Sequence, residues 1–270
     1  MNFKNKTVLI TGASSGIGAA LAQQLSTEVS TLVLVARRQQ ELEHLSNMLT
    51  VNNHKLKVYV FAKDITAKQS HLEIMNELTN KGLQVDILIN NAGVGDENLF
   101  SKSLLQKLES IVELNIKSVV SLTHLFVQQI MQQPQGKGIV FIGSGGGIAW
   151  MANPAVYSAS KHFITAFTMS LRVELKHYGV EVALVNPGPV NTEFDINAGI
   201  NNGMKGGPSQ SNRISAEECA ADTIAALKRG KDVIFPGKKF NRLMKLYLLL
   251  PWFVRVSLLE KDAKKLYKNQ

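Results

Sequence analysis

A tyrosine and a lysine four residues apart are the first side chains whose types and spacing suggest chemistry. Tyr157 and Lys161 fall in segment 155–178, which has helical periodicity, and residues four apart share one face of a helix. A phenol, with a reference pKa of about 10, is a poor proton donor at neutral pH, and a neighbouring cation lowers that pKa. The pair could therefore act as a tuned general acid or base.

A serine hydroxyl is predicted to lie near this pair. Ser144 follows the predicted strand Gly138–Ile142 and comes thirteen residues before Tyr157. Because open α/β sheets bind ligands at the carboxyl ends of their strands, this hydroxyl could hold a substrate oxygen. The Y-x3-K spacing alone is common on exposed helices, so the chemical interpretation depends on the motifs that accompany it.

A glycine-rich turn follows the first predicted strand and opens a helix. It reads TGASSGIG over residues 11–18, and its glycines allow backbone amides to approach a pyrophosphate at the positive end of the helix. The G-x3-G-x-G spacing differs from the usual dinucleotide fingerprint, so a packing role is the alternative. The coenzyme contacts predicted here are Gly12, Ser14, Ser15, Gly16, Ile17 and Gly18.

Two arginines stand where dinucleotide-binding proteins usually carry an acid. That acid ends the second strand and binds the ribose hydroxyls, whereas residues 35–38 of this chain read VARR. Arginine suits a 2′-phosphate because it makes charge-assisted, often bidentate contacts. We therefore expect NADP(H) rather than NAD(H), bound by Arg37 and Arg38. For Arg38, a solvated charge at the start of the next helix is the alternative.

Together with further motifs in the same order, these features resemble the classical short-chain dehydrogenase/reductase family. The further motifs are NNAG over residues 90–93, Asn115 inside a predicted helix, and PGPVNT over residues 187–192. The resemblance covers residues 6–235. It implies a nicotinamide-dependent oxidoreductase on a Rossmann-type doubly wound parallel sheet that interconverts a carbonyl and an alcohol, and NADPH implies reduction as the direction in cells.

The resemblance also implies roles for individual residues. Tyr157 would be the acid or base, Lys161 would bind the nicotinamide ribose and lower the pKa of the tyrosine, and Ser144 would hold the substrate carbonyl. Asn115 would support a proton relay through water. The implied coenzyme contacts are Asp64 at the adenine, Asn91 stabilising the central sheet, Thr192 at the carboxamide, and Ala92, Gly93, Pro187, Gly188 and Val190. For Asn115, Asn91 and Asp64, a local backbone hydrogen bond is the alternative.

Alternating strands and helices must position these residues. β-branched runs predict strands at 7–10, 32–35, 56–61, 85–89, 138–142, 180–185 and 233–235, and periodicity predicts helices near 16–28, 39–52, 67–81, 103–132, 155–178 and 215–229. Such alternation predicts an α/β fold with a parallel sheet covered on both faces. We expect one catalytic domain over residues 1–237, in which 187–214 is an irregular substrate loop.

Composition limits the class of protein but says little about the identity of the substrate. The chain has 270 residues, of which 45% are hydrophobic and 19% charged, and its single cysteine excludes an internal disulfide. No secretion signal is visible, so we expect a cytoplasmic protein. Phe194, Ile196, Ile200 and Met204 in the substrate loop are compatible with an apolar ketone or aldehyde. We predict no metal site.

The net charge is concentrated at the end of the chain. Residues 228–270 hold twelve basic and three acidic residues, whereas residues 1–227 hold eighteen of each, so the formal charge of +9 lies entirely in the tail. The apolar run 246–254 among these charges is too short to cross a bilayer. We predict a basic amphipathic extension over 238–270 that lies on the inner face of a membrane. Packing on the body or on a partner subunit is the alternative, and nucleic acid is not expected.

Two other functions share parts of this pattern. A non-catalytic NADPH-binding regulator or scaffold could use the same fold, and NADPH binding without turnover would identify it. A sugar-nucleotide epimerase shares the nucleotide turn and Y-x3-K, but it ordinarily needs a larger C-terminal domain for which this chain has no room. The family resemblance also implies a homodimer or homotetramer that pairs the helices near 103–132 and 155–178.

Overall fold

Seven parallel strands form the central sheet of the computed structural model, which describes residues 1–199 and 213–268. These strands are β1 Thr7–Thr11, β2 Thr31–Ala36, β3 Lys57–Ala62, β4 Ile87–Asn90, β5 Gly138–Ile142, β6 Glu181–Val185 and, after the short β7 Val190–Asn191 and β8 Ile214–Ser215, β9 Val233–Ile234. Their order in the sheet is β3-β2-β1-β4-β5-β6-β9. The order reverses between β1 and β4, which is where open α/β sheets bind their ligands.

Helices cover both faces of this sheet. They are α1 Gly16–Leu25, α2 Gln39–Asn52, α3 Ser70–Asn80, α4 Leu105–Val112, α5 Ser118–Ile130, α6 Ala155–Lys176, α7 Glu193–Asn197, α8 Ala216–Lys228, α9 Lys238–Leu249 and α10 Trp252–Lys268. Successive strand residues point to opposite faces, so Ile10 joins the apolar cluster with α1, α2 and α8, while Leu9 joins the cluster with α3, α5 and α6. The predicted α/β class and parallel sheet are confirmed.

The helix predicted over 103–132 is not continuous. It begins at Leu105, and the five residues Glu113–Lys117 form a π-helical turn between α4 and α5. The segment 105–130 is long and apolar enough to cross a membrane. Its residues Leu122 and Phe126, however, are buried in the apolar cluster beneath the sheet. This stretch therefore serves as a core helix, and its π turn carries one of the predicted site residues.

The substrate loop predicted as irregular over 187–214 contains regular structure at both ends. β7 pairs in parallel with β8, and α7 begins where the Thr192 hydroxyl accepts a hydrogen bond from the Phe194 amide. The prediction of irregular structure was wrong for these ends because a cap and a strand pair satisfy their backbone groups. Ile200 and Met204 lie outside the described residues.

The C-terminal extension is a pair of helices separated at Pro251. Met244 of α9 is buried, and the Phe240 ring lies 6.3 Å from the Phe235 ring on the body. Trp252 at the start of α10 makes an edge contact of 4.7 Å between ring centres with Trp150. One face of the extension therefore packs on the domain, as the alternative expectation held, while other side chains remain exposed.

Candidate active site

The carboxyl end of β5 and the first turns of α6 bring three predicted catalytic residues together. Ser144 follows β5 and begins the 3-10 turn Gly145–Gly147. The Ser144 side chain lies close enough to the Tyr157 phenol to act on its pKa, and the Lys161 ammonium nitrogen lies 5.9 Å from the centre of the tyrosine ring. Tyr157 and Lys161 are only 9% and 5% exposed. A proton donor, a hydroxyl and a cation thus share one buried corner.

Packing of the turn after β5 on α6 fixes the distance between Ser144 and Tyr157. The Ser158 hydroxyl donates to the Gly146 carbonyl at 2.8 Å, and the Thr165 hydroxyl donates to the Gly147 carbonyl at 3.0 Å. A Cβ atom on Gly147 would lie 2.5 Å from the Lys161 carbonyl oxygen. Only glycine therefore lets this turn approach the helix closely enough for the serine and tyrosine to meet.

Burial controls the protonation of the tyrosine and the lysine. Desolvation raises the pKa of Tyr157 to about 12, and the Ser144 side chain offsets only part of this effect. Desolvation also lowers the pKa of Lys161 to about 8, and its ammonium donates to the Ile142 carbonyl at 3.0 Å. The resemblance implied a lowered pKa for the tyrosine, but here it is raised. The cause is that burial penalises the phenolate while the lysine's proton is directed to the backbone.

The π-helical turn buries Asn115 between the loop after β4 and α6. Its side-chain oxygen accepts from the Val94 amide at 3.0 Å, and its amide nitrogen donates to the Val94 carbonyl at 2.9 Å and to the Ser160 hydroxyl at 3.0 Å. The Ser160 hydroxyl in turn donates to the Tyr157 carbonyl at 2.7 Å. Asn115 thus makes the local backbone bonds of the alternative expectation and also connects two walls of the site.

The glycine-rich turn adopts the conformation that close approach of a pyrophosphate requires. Gly12 and Gly16 have φ angles of +66° and +56°, and a Cβ on Gly18 would lie 2.4 Å from the Gly12 carbonyl oxygen. Ser15 precedes α1 and makes no capping hydrogen bond, so its side chain leaves the first amides of α1 available to an anion. These observations fit the coenzyme that the sequence predicts.

Asn91 and Thr11 join the ends of β1 and β4 at the point where the strand order reverses. The Asn91 side-chain amide donates to the carbonyls of Thr11 and Gly12 at 2.9 and 3.1 Å. The Thr11 hydroxyl accepts from the amides of Asn91 and Ala92, each at 3.0 Å. The sheet-stabilising position implied for Asn91 agrees with this geometry. Thr11 was not among the predicted site residues, although it begins the glycine-rich motif.

Arg37, Arg38 and Asp64 lie near the end of β2. Arg37 is exposed, and its charge contributes to a lowered pKa of Asp64. Burial alone would raise that pKa, but hydrogen bonds from the Thr66 amide and hydroxyl, at 2.9 and 2.7 Å, outweigh it. The predicted phosphate and adenine residues are therefore neighbours, and Asp64 also makes the local bonds of its alternative.

Arg38 is exposed but contacts several other side chains. It donates to the hydroxyls of Ser14 and Ser15, with a shortest distance of 2.7 Å, and it forms an ion pair with Glu193 at 2.8 Å. Arg38 also precedes α2 and is 46% exposed, so the alternative of a surface charge at the start of that helix stays open. The contact with Glu193 had no signal in the sequence because the two residues are 155 positions apart.

The PGPVNT segment passes over the same edge of the sheet. The Pro187 carbonyl accepts from the Gly145 amide at 2.8 Å, and Val190 is buried. A Cβ on Gly16 would lie 3.1 Å from the Thr192 methyl group, so Thr192 sits directly on the glycine-rich turn. The structure thus brings the predicted coenzyme residues of β1, β4 and β6 to one edge.

Two glycines of this edge are covered by the C-terminal extension. A Cβ on Gly145 would lie 2.5 Å from the Phe240 ring, and one on Gly188 would lie 2.7 Å from it. Gly145 is next to Ser144, and Gly188 belongs to the PGPVNT segment. The aromatic side chain of α9 therefore packs directly behind the catalytic and coenzyme-binding segments.

The sequence named Phe194 only as an apolar residue of the substrate loop, and it gave no indication that Gly95, Glu97 and Asn153 lie near Tyr157. The Phe194 ring of α7 lies 5.7 Å from the Tyr157 ring, and a Cβ on Gly95 would lie 2.8 Å from it. Burial raises the pKa of Glu97, whose carboxylate accepts from Asn153 at 3.3 Å. No motif marks these residues, because long-range packing alone brings them to the tyrosine. The part of the chain that the structure describes holds no group of three or more potential metal ligands.

Comparisons with known proteins agree with this arrangement. Residues 6–202 match the family model for short chain dehydrogenases. A curated mouse (Mus musculus) protein, dehydrogenase/reductase SDR family member 7, is 36% identical over 218 residues, which are 78% of this chain and 64% of that protein. This chain therefore spans less than two thirds of that relative.

Solved structures give the same likeness over nearly the whole chain. A short-chain dehydrogenase from Sphingobium yanoikuyae in complex with NADPH superposes with a TM-score of 0.78 at 27% identity, covering 98% of this chain and 96% of that one. An enzyme from Burkholderia phymatum in complex with NAD gives a TM-score of 0.79 at 23% identity, covering 91% and 94%. The second likeness concerns the fold alone.

Proposed function

The chain belongs to the short-chain dehydrogenase/reductase family of oxidoreductases, and from this premise we propose that it reduces an apolar ketone or aldehyde to an alcohol with NADPH. The observation that carries the proposal is the placement of the Tyr157 phenol next to the Ser144 side chain and beside the buried Lys161. A proton donor and a hydroxyl are thereby fixed at the edge of the sheet where the coenzyme residues converge.

Tyr157 would give a proton to the substrate oxygen. Burial raises its pKa to about 12, so the phenol carries its proton at neutral pH, and Lys161 with the bound coenzyme would have to lower this pKa for efficient transfer. The Ser144 hydroxyl would donate a hydrogen bond to the negative charge that develops on the same oxygen. When bound, the coenzyme supplies the hydride, and the protein contributes position and electrostatics.

The remaining predicted residues would hold the coenzyme. Lys161 would bind the nicotinamide ribose, Thr192 the carboxamide, and the glycine-rich turn the pyrophosphate. Asp64 would contact the adenine, and Asn91 would keep β1 and β4 in register through its two backbone hydrogen bonds. The burial of Lys161 and the hydrogen bonds of Asn91 and Asp64 support this assignment.

NADPH is favoured because the end of β2 carries positive charge and no acid. Arg37 is exposed there and close enough to Asp64 to lower its pKa. The NADPH complex of the relative from Sphingobium yanoikuyae supports the same choice. Arg37→Ala should weaken NADPH more than NADH, by about 1.5 to 3 kcal/mol for one lost charged hydrogen bond. Equal affinity of the unmodified protein for both coenzymes would contradict the choice.

An apolar substrate is supported by the side chains around the tyrosine. Phe194 packs against the Tyr157 ring, and the narrow cleft beside it is lined in part by Phe100, Leu108 and Val156. NADPH oxidation should be followed with lipid ketones, ketosteroids, retinoids and small aldehydes. Turnover of the apolar compounds supports the proposal. NADPH binding without turnover of any of them would instead identify a non-catalytic regulator or scaffold.

We also propose that the extension contacts an anionic membrane surface, which would place the enzyme at the cytoplasmic face. Leu243, Leu246 and Leu249 of α9 are 58%, 63% and 80% exposed, next to the exposed basic residues Arg242 and Lys245. Trp252 and Phe253 continue the apolar surface at 67% and 71% exposure. Such a surface gains from apolar burial and from attraction to anionic lipid.

A homodimer or homotetramer is the assembly we propose. Apolar side chains of α6 remain exposed, among them Val173 at 62%, Phe163 at 37% and Met169 at 36%. Members of the family are typically oligomeric, and these side chains would be covered by a second copy of α6. Light scattering at micromolar concentration without detergent tests this, and a monomer would contradict it.

A further inference from the structure

Arg38, which the sequence assigns to the coenzyme phosphate, is already bound to an anion of the protein itself. Its Nη1 donates to the Glu193 Oε2 at 2.8 Å. Its Nε and Nη2 donate to the Ser14 hydroxyl at 3.2 and 3.1 Å, and Nη2 also donates to the Ser15 hydroxyl at 2.7 Å. All three nitrogens of the guanidinium therefore have partners, and one partner is a carboxylate.

A carboxylate and a phosphate present the same kind of acceptor to a guanidinium. Both take parallel N–H bonds from its planar fork, so the two anions compete for the same donors. Glu193 also brings a negative charge to the place where a 2′-phosphate would add more. Like charges this close oppose each other unless one of them moves away.

We propose that Glu193 is a coenzyme-specificity residue, an internal rival that the 2′-phosphate of NADPH must displace from Arg38. The proposal rests on the proposed use of NADPH. The ion pair is exposed, at 46% for Arg38 and 52% for Glu193, so opening it costs little and NADPH still binds. NADH has no 2′-phosphate and leaves the pair closed.

Displacement of Glu193 from Arg38 also acts on the surroundings of the catalytic tyrosine, through α7. Glu193 is the first residue of that helix, and the next residue, Phe194, packs its ring 5.7 Å from the Tyr157 ring. A second ion pair, between Asp195 and Arg213, holds the same helix from the other side. Among the described residues, release of Glu193 therefore frees one of the two ion pairs that hold the helix next to Tyr157, and only the phosphorylated coenzyme releases it.

The experiment compares dissociation constants of NADPH and NADH by fluorescence titration in the full-length protein and in Glu193→Gln. Glutamine keeps the shape of the side chain and removes the charge. We expect NADPH to bind about two- to fivefold more tightly to the variant, and the affinity for NADH to stay unchanged. At saturating NADH, turnover of a ketone substrate should rise in the variant toward the rate with NADPH.

Two further variants assign the effect to the ion pair. In an Arg38→Gln background, Glu193→Gln should improve NADPH affinity less, because competition for the guanidinium is gone and only charge repulsion remains. Glu41→Gln removes an exposed carboxylate from the first turn of α2 without touching the pair, and it should change neither coenzyme.

The outcomes separate this inference from the proposed function. If the unmodified protein prefers NADPH and Glu193→Gln has no effect, the role of Glu193 is overturned. The proposed NADPH-dependent reduction then still stands. An equal gain for NADPH and NADH, or a gain of the same size without Arg38, would overturn it as well. If the unmodified protein binds neither coenzyme, the proposed function and this inference fail together.

Discussion

The active site and the C-terminal extension use polar and apolar side chains in opposite ways. At the carboxyl ends of β4 and β5, buried polar groups such as Asn115 and Lys161 each have a hydrogen-bond partner. On α9 and α10, large apolar side chains such as Leu249 and Trp252 stay exposed among basic residues. The first region is specified by internal partners, whereas the second presents a surface whose partner lies outside the chain.

This difference determines where mutations should act. Changes at a buried, fully paired group should alter chemistry or folding, because the partner is left unsatisfied. Changes on the exposed face of the extension should leave both intact and alter only association with an external surface. The following predictions test that separation, and they run from the largest expected effect to the smallest.

Removing the phenolic hydroxyl of Tyr157 should have the largest effect. Tyr157→Phe keeps the ring but has no proton to give, so turnover should fall roughly a hundredfold or more, the scale of general acid catalysis. NADPH affinity, measured by fluorescence titration, should be nearly unchanged. Tyr178→Phe, at an exposed tyrosine just after α6, is the matched control and should keep full turnover. Near-normal turnover of Tyr157→Phe would remove this residue from the mechanism.

Removing four positive charges from the extension should affect membrane binding alone. Replacing Lys238, Lys239, Arg242 and Lys245 with Gln should weaken co-sedimentation with anionic liposomes at least tenfold, since each basic residue near such a surface contributes about 1 kcal/mol. NADPH affinity and turnover should not change. The control replaces the exposed lysines Lys4, Lys55, Lys57 and Lys68 of the body with Gln. If the unmodified protein stays in the supernatant at low salt, the extension is better explained as packing on the domain or on a partner subunit.

Burial of Lys161 should lower the free energy of unfolding at neutral pH. Burial lowers the pKa of Lys161 from 10.5 to about 8, so between these values the unfolded chain binds a proton that the folded protein lacks. The contribution of Lys161 to the free energy of unfolding therefore rises with pH over this window and is least favourable below it.

Lys161→Met should remove this pH dependence and abolish turnover. It should raise the free energy of unfolding at pH 7 by about 1 to 2 kcal/mol, because the unpaired Ile142 carbonyl offsets part of the gain. Urea unfolding between pH 7 and 10.5 provides the measurement. Lys176→Met, at the exposed end of α6, should leave the pH dependence as it was. If Lys161→Met is less stable and the free energy of unfolding changes with pH as before, burial does not destabilise the charged form of this lysine.

Phe240 connects the two regions, so its replacement tests whether they are independent. Phe240→Ala should lower the free energy of unfolding by about 1 to 2 kcal/mol, less than for a fully buried ring because Phe240 is partly exposed. Phe253→Ala, at an exposed ring of α10, should leave stability unchanged while weakening liposome binding. If both variants keep the same stability, α9 is not anchored through Phe240.

The sequence was sufficient to predict the elements that depend on local pattern. Apolar runs such as 138–142 predicted buried parallel strands, and the Tyr157 and Lys161 spacing placed both side chains on one helix. Helix ends were less accurate: α1, predicted to residue 28, ends at Leu25, and the Ser26 hydroxyl bonds back to the Gln23 carbonyl. Capping of this kind involves only nearby atoms, yet several endings compete within a few residues.

The properties that sequence reasoning missed depend on distant contacts. The π turn at Asn115 exists because its side chain reaches Val94 and Ser160, and no local pattern specifies that reach. The direction of the pKa change at Tyr157 follows from desolvation, which the Y-x3-K spacing does not report. The Arg38 and Glu193 pair depends on where α7 lies relative to the glycine-rich turn. Each of these needs the folded chain.

The contact of Phe240 with Gly145 and Gly188 has an evolutionary consequence. Each glycine contributes only a hydrogen atom at the point of contact, and a methyl group in its place would occupy the position of the ring. An alanine at either position would therefore displace α9 and α10 from the domain, although no residue of these helices has changed. In homologues that have lost either glycine, the residues of α9 should therefore vary as well. Attachment of the extension thus depends on two positions that lie far outside it in the sequence.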